Sequence, residues 1–350
     1  APRATVAAAA PPAQPQGRPQ PEALARPPVP ASAAPHAAHV VAPFLPLPAP
    51  AAYPAPCPPP PLPPRPPRPP GPPRVPVVAE SAVPAPVAVP ARYPVLTAAR
   101  GKGTWAVYFD GRRINGQALV DSAKAARLDS IWVRTGGTRQ GAYYGDDVLR
   151  AILVPAHRAG LKVIAWDFPY LSDPAADAYR AKRALAFRDH GQRIDAFSPD
   201  IETAAEGVFL TPRRVAYYLS LVRRTAGNRL VVTTVPRPTR KQLAAYPYQT
   251  VADGSDALAP MVYWSCSEPG IVVTQAIDRL ARFGRPVHVI GQAYDMASEG
   301  GRPGVPTAAE TWRFIDVAHR GGAVGVSLYK WNSTGAGQRR ALTAYPWPVG

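Results

Sequence analysis

The chain has 350 residues, of which 46% are hydrophobic, with a formal net charge of +17 and only two cysteines. Two cysteines exclude a disulfide-rich scaffold, and no run of 18 apolar residues is present to predict a transmembrane helix. Of the 48 prolines, 33 lie in the first 100 residues. The composition therefore divides the chain into a proline-rich segment, residues 1–100, and a folded part, residues 101–350.

The proline-rich segment is otherwise mostly Ala and Val, and its only acidic residues are Glu22 and Glu80. It has no apolar periodicity and too few backbone donors to offset the entropy of ordering. We expect a disordered spacer with polyproline-II stretches, most rigid around Cys57–Arg74. Its PxxP repeats are also typical of ligands for proline-binding domains, although repeats this dense arise from composition alone.

The net charge is +6 in the first 100 residues and +11 in the remainder. A basic protein favours anionic partners, such as nucleic acid, a membrane surface or an anionic cell-wall polymer. Nucleic acid is disfavoured because no basic cluster alternates with aromatic residues and no nucleic-acid-binding motif is present. The chain begins with Ala1 rather than Met. We therefore expect that a signal peptide has been removed, and that the protein is secreted or held in the cell envelope.

Short β-branched or aromatic runs alternate with amphipathic segments along the folded part. The eight predicted strands are Thr104–Asp110, Ser130–Gly136, Lys162–Phe168, Asp195–Glu202, Arg229–Val235, Ala257–Trp264, Pro286–Asp295 and Ala323–Trp331. Eight strand–helix alternations in this length predict an α/β fold, a single (β/α)₈ barrel. The alternative is a doubly wound open sheet, which would usually show a glycine fingerprint after its first strand, and none follows Asp110.

Capping residues mark the ends of three predicted helices. These helices are Gly145–Gly160, Thr211–Gly227 and Thr307–Gly322. Thr211 followed by proline predicts an N-cap with proline at the first helical position. Thr307 with Glu310 three residues later predicts a capping box. Gly160, Gly227 and Gly321 are typical of helix C-terminal ends, and a strand follows each of them.

In a barrel of this kind the active site lies at the carboxyl ends of the strands. Acidic and large aromatic residues collect at those predicted ends, where rings stack on sugar faces and carboxylates accept hydrogen bonds from sugar hydroxyls. This combination predicts a carbohydrate site. The candidate substrate-binding residues are Asp110, Arg134, Trp166, Asp167, Tyr263, Trp264, Gln292, Tyr294 and Trp331.

The fourth predicted strand carries the candidate catalytic pair, Asp200 and Glu202. Residues two apart on a strand point to the same side. If Phe197 and Ile201 face the helices, both carboxylates face the barrel. Glycosidic cleavage needs a protonated carboxyl for the leaving oxygen, and repulsion from Asp200 would raise the pKa of Glu202 accordingly. The alternative is a pair of ordinary acids at a strand end.

Two prolines bear on this orientation. Pro199 and Pro260 cannot donate a hydrogen bond to a neighbouring strand, although barrel strands have neighbours on both sides. We therefore expect a bulge or an early strand end at each proline. A bulge would shift the inward-facing phase by one residue.

Several motifs resemble known glycoside hydrolases. The stretch "SPDIE" resembles the Asp-x-Glu ending of strand 4 in family-18 chitinase-like and family-25 lysozyme-like enzymes. "PMVYW" is similar to the Met-x-Tyr element of the chitinase-like group, and Trp331 resembles the tryptophan that floors the sugar site there. "IWVRTGGTRQGAYY" followed by "AHRAGLKVIAW" is similar in layout to strands 2 and 3 of the lysozyme-like group. The likeness spreads over about residues 104–345.

The resemblance implies a glycoside hydrolase-like barrel with Glu202 as the acid. It also implies that Asp200 orients an N-acetyl substituent acting as internal nucleophile, supported by Tyr263. If no N-acetyl group takes part, the second carboxylate would come from another strand end: Asp110, Asp167 or Asp295.

This chain also departs from the chitinase-like pattern. Ala196 and Ser198 stand where that group has further acids, and Trp264 stands where an acid usually follows the Met-x-Tyr element. The exact family is therefore left open.

No metal or other cofactor is predicted, because His157, His190, His288 and His319 form neither HxxH nor HxH. The sequence thus predicts an exported glycosidase that cleaves an envelope or extracellular polysaccharide. Two alternatives stay open. One is a non-catalytic carbohydrate-binding barrel that does not use Glu202. The other is a different barrel enzyme that binds a phosphosugar through the loop Asn332–Gln338.

Overall fold

A computed structural model describes residues 76–89, 95–107, 115–138 and 142–348. Within these ranges, eight parallel strands form a closed barrel, because β1 pairs with both β2 and β9. The predicted (β/α)₈ barrel is confirmed. Its strands are β1 (Gly101–Ala106), β2 (Ser130–Gly137), β4 (Lys162–Phe168), β5 (Ala196–Pro199), β6 (Leu230–Val235), β7 (Ala257–Val262), β8 (His288–Gln292) and β9 (Gly325–Tyr329), and the two-residue strand β3 (Ala142–Tyr143) runs antiparallel to β2.

Helices surround the barrel, and the predicted caps are observed. The described helices are α1 (Gly116–Ala125), α2 (Gly145–Arg158), α3 (Pro174–Ala186), α4 (Pro212–Ala226), α5 (Arg240–Ala245), α6 (Tyr248–Gly254), α7 (Pro269–Ala281), α8 (Ala308–Arg320) and α9 (Ala336–Ala344). Thr211 caps α4, and Thr307 with Glu310 forms the capping box of α8. No helix in the described ranges is both long and apolar enough to span a bilayer.

The first strand begins three residues earlier than predicted, at Gly101. The stretch Gly101-Lys102-Gly103 reads as a turn, since glycine is depleted in strands. Packing requires glycine here, because a Cβ on Gly103 would lie 2.5 Å from Ser130 Oγ and 2.9 Å from Trp132 Nε1. The missing side chain therefore makes room for an indole inside the barrel.

Tryptophans fill the barrel interior. The ring of Trp105 stacks on Trp132 at 4.7 Å and meets Trp166 edge-on at 5.2 Å. At the opposite end to the strand carboxyl termini, the short 3₁₀ helix Leu96–Ala99 closes the barrel. There His288 Nδ1 lies 2.7 Å from the Ala99 carbonyl oxygen, and burial lowers the pKa of His288 to about 4. His288 is therefore a neutral structural residue at neutral pH.

Pro199 and Pro260 interrupt hydrogen bonding without shifting the strand register. The pairing of β5 with β6 keeps one offset from Ala196↔Leu230 to Asp200↔Thr234, on either side of Pro199. The pairing of β7 with β8 likewise keeps one offset across Pro260. The expected early strand end is observed at Pro199, whereas a bulge is absent at both prolines, so the inward-facing phase is preserved.

Two parts of the proline-rich segment are described, residues 76–89 and 95–100, and the first of them packs on the helix layer. Val83 is buried, and Val78 N donates to the Ser172 carbonyl. Glu80 forms an ion pair with Arg214 of α4, whose guanidinium also donates to the Leu171 carbonyl. These contacts tie the end of the segment to the barrel.

Candidate active site

A cavity of about 650 Å³ opens at the carboxyl ends of the barrel strands. Six of the predicted site residues line it: Arg134, Trp166, Asp200, Glu202, Tyr263 and Tyr294. Other described lining residues are Trp105, Phe168, Glu206, Thr234, Pro236, Arg237, Met261, Ile290, Glu299 and Tyr329. Asp110 lies outside the described residues. The cavity therefore combines carboxylates with aromatic rings at the functional end of the fold.

Asp200 and Glu202 share the barrel side of the chain that leaves β5. Phe197 and Ile201 face the helices, as predicted, since both belong to the core between sheet and helices. Beyond Pro199 the chain continues the sheet, because Asp200 N donates to the Asp167 carbonyl and Ile201 N donates to the Thr234 carbonyl. The backbone at Asp200 and directly before Glu202 is thus held by hydrogen bonds to the neighbouring strands on both sides.

The environment keeps both carboxyls of this pair protonated to unusually high pH. Burial raises the pKa of Asp200 to about 7, although the positive charge of Arg134 opposes the shift. Burial and the negative charges of Asp200 and Glu206 raise the pKa of Glu202 well above its ordinary value. A carboxyl that retains its proton near neutral pH has the property that a general acid requires.

Polar atoms in the cavity lack partners within the described part of the protein. Asp200 Oδ1 and Trp166 Nε1 are buried without a hydrogen bond. Leaving such atoms unsatisfied costs about 1–3 kcal/mol each. Both residues line the cavity, so an unsatisfied acceptor and an unsatisfied donor lie buried in its wall.

Tyr329 is the centre of an aromatic wall. Its ring lies 6.1 Å from each of Trp105, Tyr263 and Tyr294, and 6.4 Å from Trp166. It ends β9, which places it in the inward phase with Ser327. Such a cluster offers ring faces and edges for stacking on a sugar.

Four predicted site residues lie outside this lining. Trp264 stacks on Phe314 of α8 at 5.2 Å, because alternation along the chain turns it outward when Tyr263 points inward. Trp331 follows β9 and lies under the guanidinium of Arg339, 4.1 Å from its ring centre.

Gln292 and Asp167 bond to neighbouring segments of the protein and do not line the cavity. The Gln292 side chain accepts a hydrogen bond from Ser265 N and donates to the Tyr294 carbonyl, so it joins the loops after β7 and β8. Asp167 points outward and pairs with Arg180 of α3 at 3.0 Å. Burial raises the pKa of Asp167 to about 6, against the attraction of Arg180.

Removing the Arg180 charge is expected to destabilise the fold. Arg180 pairs with both Asp167 and Asp177, whose side chains are 1% exposed. The Arg180→Gln variant would leave two buried carboxylates uncompensated, which costs about 3–5 kcal/mol. Urea denaturation at pH 8 measures the loss, which should shrink as the pH falls and the carboxyls take up protons.

Arg183→Gln is the matched control for this change. It lies one turn further along α3 and pairs with Asp146 in a bridge that is nearly half exposed on both sides. Exposed pairs contribute little to stability. A loss for Arg183→Gln as large as that for Arg180→Gln would contradict a role for buried ion pairing.

Glu206, Glu299 and Arg237 line the cavity but were not predicted. All three come from segments beyond strand ends, where periodicity carries no information. Glu299 accepts a hydrogen bond from the Tyr294 hydroxyl at 3.0 Å, and Arg237 donates to the Tyr263 carbonyl at 3.1 Å. The one sequence feature that could have identified them is that they are charged residues shortly after strand ends. Among the described residues, no group of three His, Cys, Asp or Glu side chains is placed to hold a metal ion.

No protein-family model matches this sequence, and no curated protein matches it. Solved structures of glycoside hydrolases do match. The glycoside hydrolase domain of PgaB (BpsB) from Bordetella bronchiseptica gives a TM-score of 0.52 at 11% identity, over 71% of this chain and 99% of that one. A chitinase from Chromobacterium violaceum gives 0.53 at 12% identity, over 69% of this chain and 98% of that one.

A GH113 β-1,4-mannanase gives a TM-score of 0.51 at 11% identity, covering 71% of this chain and 98% of that one. At such identities the likeness shows the fold. This chain therefore shares its (β/α)₈ barrel fold with these glycoside hydrolases.

Proposed function

We propose that this protein is a glycoside hydrolase that cleaves a polysaccharide with Glu202 as the general acid. The observation that carries the proposal is the raised pKa of Glu202 beside Asp200 in an aromatic-lined cavity. The barrel likeness to the chitinase and the PgaB domain supports it, because the cavity occupies the end of the fold that carries active sites.

The reaction follows from the protonation states. Glu202 gives its proton to the glycosidic oxygen, the bond from that oxygen to the anomeric carbon breaks, and positive charge develops at that carbon. Asp200, which ionises above its pKa of about 7 while Glu202 still holds its proton, stabilises this charge directly or by orienting an N-acetyl group that attacks the carbon. Water then adds to the anomeric carbon, and its proton returns to Glu202.

We infer an amino-sugar-containing polysaccharide of the cell envelope as the substrate, and an exported location for the protein. The unsatisfied Trp166 Nε1 and Asp200 Oδ1 lie in the cavity wall, and a small side-chain adjustment would offer them to the carbonyl and the N–H of an acetamido group. The net charge of +17 favours association with anionic wall polymers.

Release of reducing ends tests the proposal. Purified protein is incubated with chitin, peptidoglycan and galactosamine polymers, and new reducing ends are measured over time. We expect release from at least one of them. Binding without release from any substrate would contradict hydrolysis and indicate a carbohydrate-binding barrel.

A further inference from the structure

A second, basic cavity lies beside the catalytic one. It has a volume of about 350 Å³ and lies between the segment after β6 and helix α7. Arg237 lines both cavities, whereas Arg279 lines only the second. The two cavities therefore adjoin at Arg237, so a polymer chain that is held in the first and extends past Arg237 would reach the second.

The two arginines carry charge that no described carboxylate neutralises. Arg237 donates to the Tyr263 carbonyl at 3.1 Å, and Arg279 donates to the Pro238 carbonyl at 3.0 Å. Neither forms an ion pair with an acidic side chain in the described ranges. The acidic side chain in this lining, Glu268, pairs with Arg313 and accepts a hydrogen bond from Ile271 N.

The electrostatics of the pair agree with the geometry. Burial, together with the positive charge of Arg279, lowers the pKa of Arg237. Two half-buried guanidinium groups held by neutral carbonyls repel each other. An anion bound between them would remove that repulsion and form charge-assisted hydrogen bonds with their planar N–H groups.

We propose that this second cavity binds an anionic group of the polysaccharide, a uronate carboxylate or a sugar phosphate, on a sugar adjacent to those held in the catalytic cavity. The inference rests on the proposed function, because it extends the same substrate chain. It also specifies the order of charges along that chain. Four carboxyl groups line the catalytic cavity, those of Asp200, Glu202, Glu206 and Glu299, against two guanidinium groups, those of Arg134 and Arg237. The catalytic cavity therefore favours an acidic sugar less than the second cavity does, and we expect a neutral sugar in the first and an acidic one in the second.

Binding measurements on the Glu202→Gln variant test the site without turnover. The probes are chitohexaose, which is neutral, a hyaluronan hexasaccharide, which carries a carboxylate on alternate sugars, and a glycerol phosphate oligomer. We expect Glu202→Gln to bind at least one acidic probe more tightly than chitohexaose. Tighter binding of the hyaluronan indicates a carboxylate as the bound group, and tighter binding of the glycerol phosphate oligomer indicates a phosphate. Adding Arg279→Gln should raise the dissociation constant of that acidic probe about tenfold to a hundredfold.

Arg285→Gln is the matched control, because it removes the same charge elsewhere. Arg285 is also half-buried and held by a backbone carbonyl, that of Ala252, at 2.8 Å, and it lines neither cavity. Equal binding of neutral and acidic probes, or equal weakening by Arg285→Gln and Arg279→Gln, would overturn the proposal. Arg279-dependent binding of an acidic probe, combined with no hydrolysis of any polysaccharide by the wild type, would support the anion site and count against the proposed hydrolase alone.

Discussion

Replacing Glu202 by Gln is expected to slow release of reducing ends by about 10²- to 10⁴-fold, the usual contribution of a general acid. Gln keeps the shape of the side chain but has no proton to give to the glycosidic oxygen. Glu202 has no hydrogen-bond or ion-pair partner among the described residues, so the substitution breaks no structural contact. Initial rates of wild type and variant on the best substrate from the polysaccharide panel provide the measurement.

Two further variants identify the group responsible. Asp147→Asn removes a carboxylate whose side chain is 93% exposed and which does not line the cavity, and it should leave the rate unchanged. Glu206→Gln removes another carboxylate of the lining. If Glu206→Gln abolishes the reaction while Glu202→Gln retains it, the acid has been assigned to the wrong residue.

The barrel could be predicted from the sequence because its strands and helices alternate regularly, and each has its own local sequence pattern. Most strands are short runs rich in β-branched or aromatic residues. Thr211 and Thr307 mark helix starts by side-chain capping that is encoded within four residues. The start of β1 was missed because Gly103 serves a distant contact. Its missing side chain makes room for Trp132, and no local pattern records that relation.

Among the site residues, the sequence could predict those at strand ends whose side chains face the inside of the barrel. Asp200, Tyr263 and Tyr294 follow from strand-end position and alternation, and the preserved register across Pro199 keeps that alternation valid. Trp264 and Asp167 also lie at strand ends, but each is adjacent to an inward-facing residue and therefore faces the helices. A bulge between Arg134 and Gly136 adds a register shift that no periodicity predicts.

The cavity residues that lie on loops could not be predicted from strand alternation. Glu206, Arg237 and Glu299 reach the cavity through segments whose path depends on tertiary packing. Tyr246, for example, donates its hydroxyl proton to the Ile201 carbonyl at 2.8 Å, which fixes the chain directly before Glu202. The sequence separation of such contacts leaves no local signal.

Replacing Asp200 by Asn is expected to reduce hydrolysis and to move the alkaline limit of activity to lower pH. Glu202 works as an acid only while protonated, so activity falls as the pH rises through the pKa of Glu202. The charge of Asp200 raises that pKa. An uncharged Asn removes this repulsion, Glu202 ionises at lower pH, and the descending limb of the pH–rate profile follows it.

The same substitution should not weaken the fold, which separates loss of chemistry from loss of structure. The pKa of Asp200 is raised from 3.8 to about 7 in the folded protein. The folded state therefore holds a proton that the unfolded state releases, and the wild type loses stability as the pH rises between about 4 and 7. Asn has no such loss, so Asp200→Asn should unfold at a higher urea concentration than the wild type at pH 8 and at a similar one at pH 4. An alkaline limb that stays in place or moves upward in Asp200→Asn would show that Asp200 does not set the protonation of Glu202.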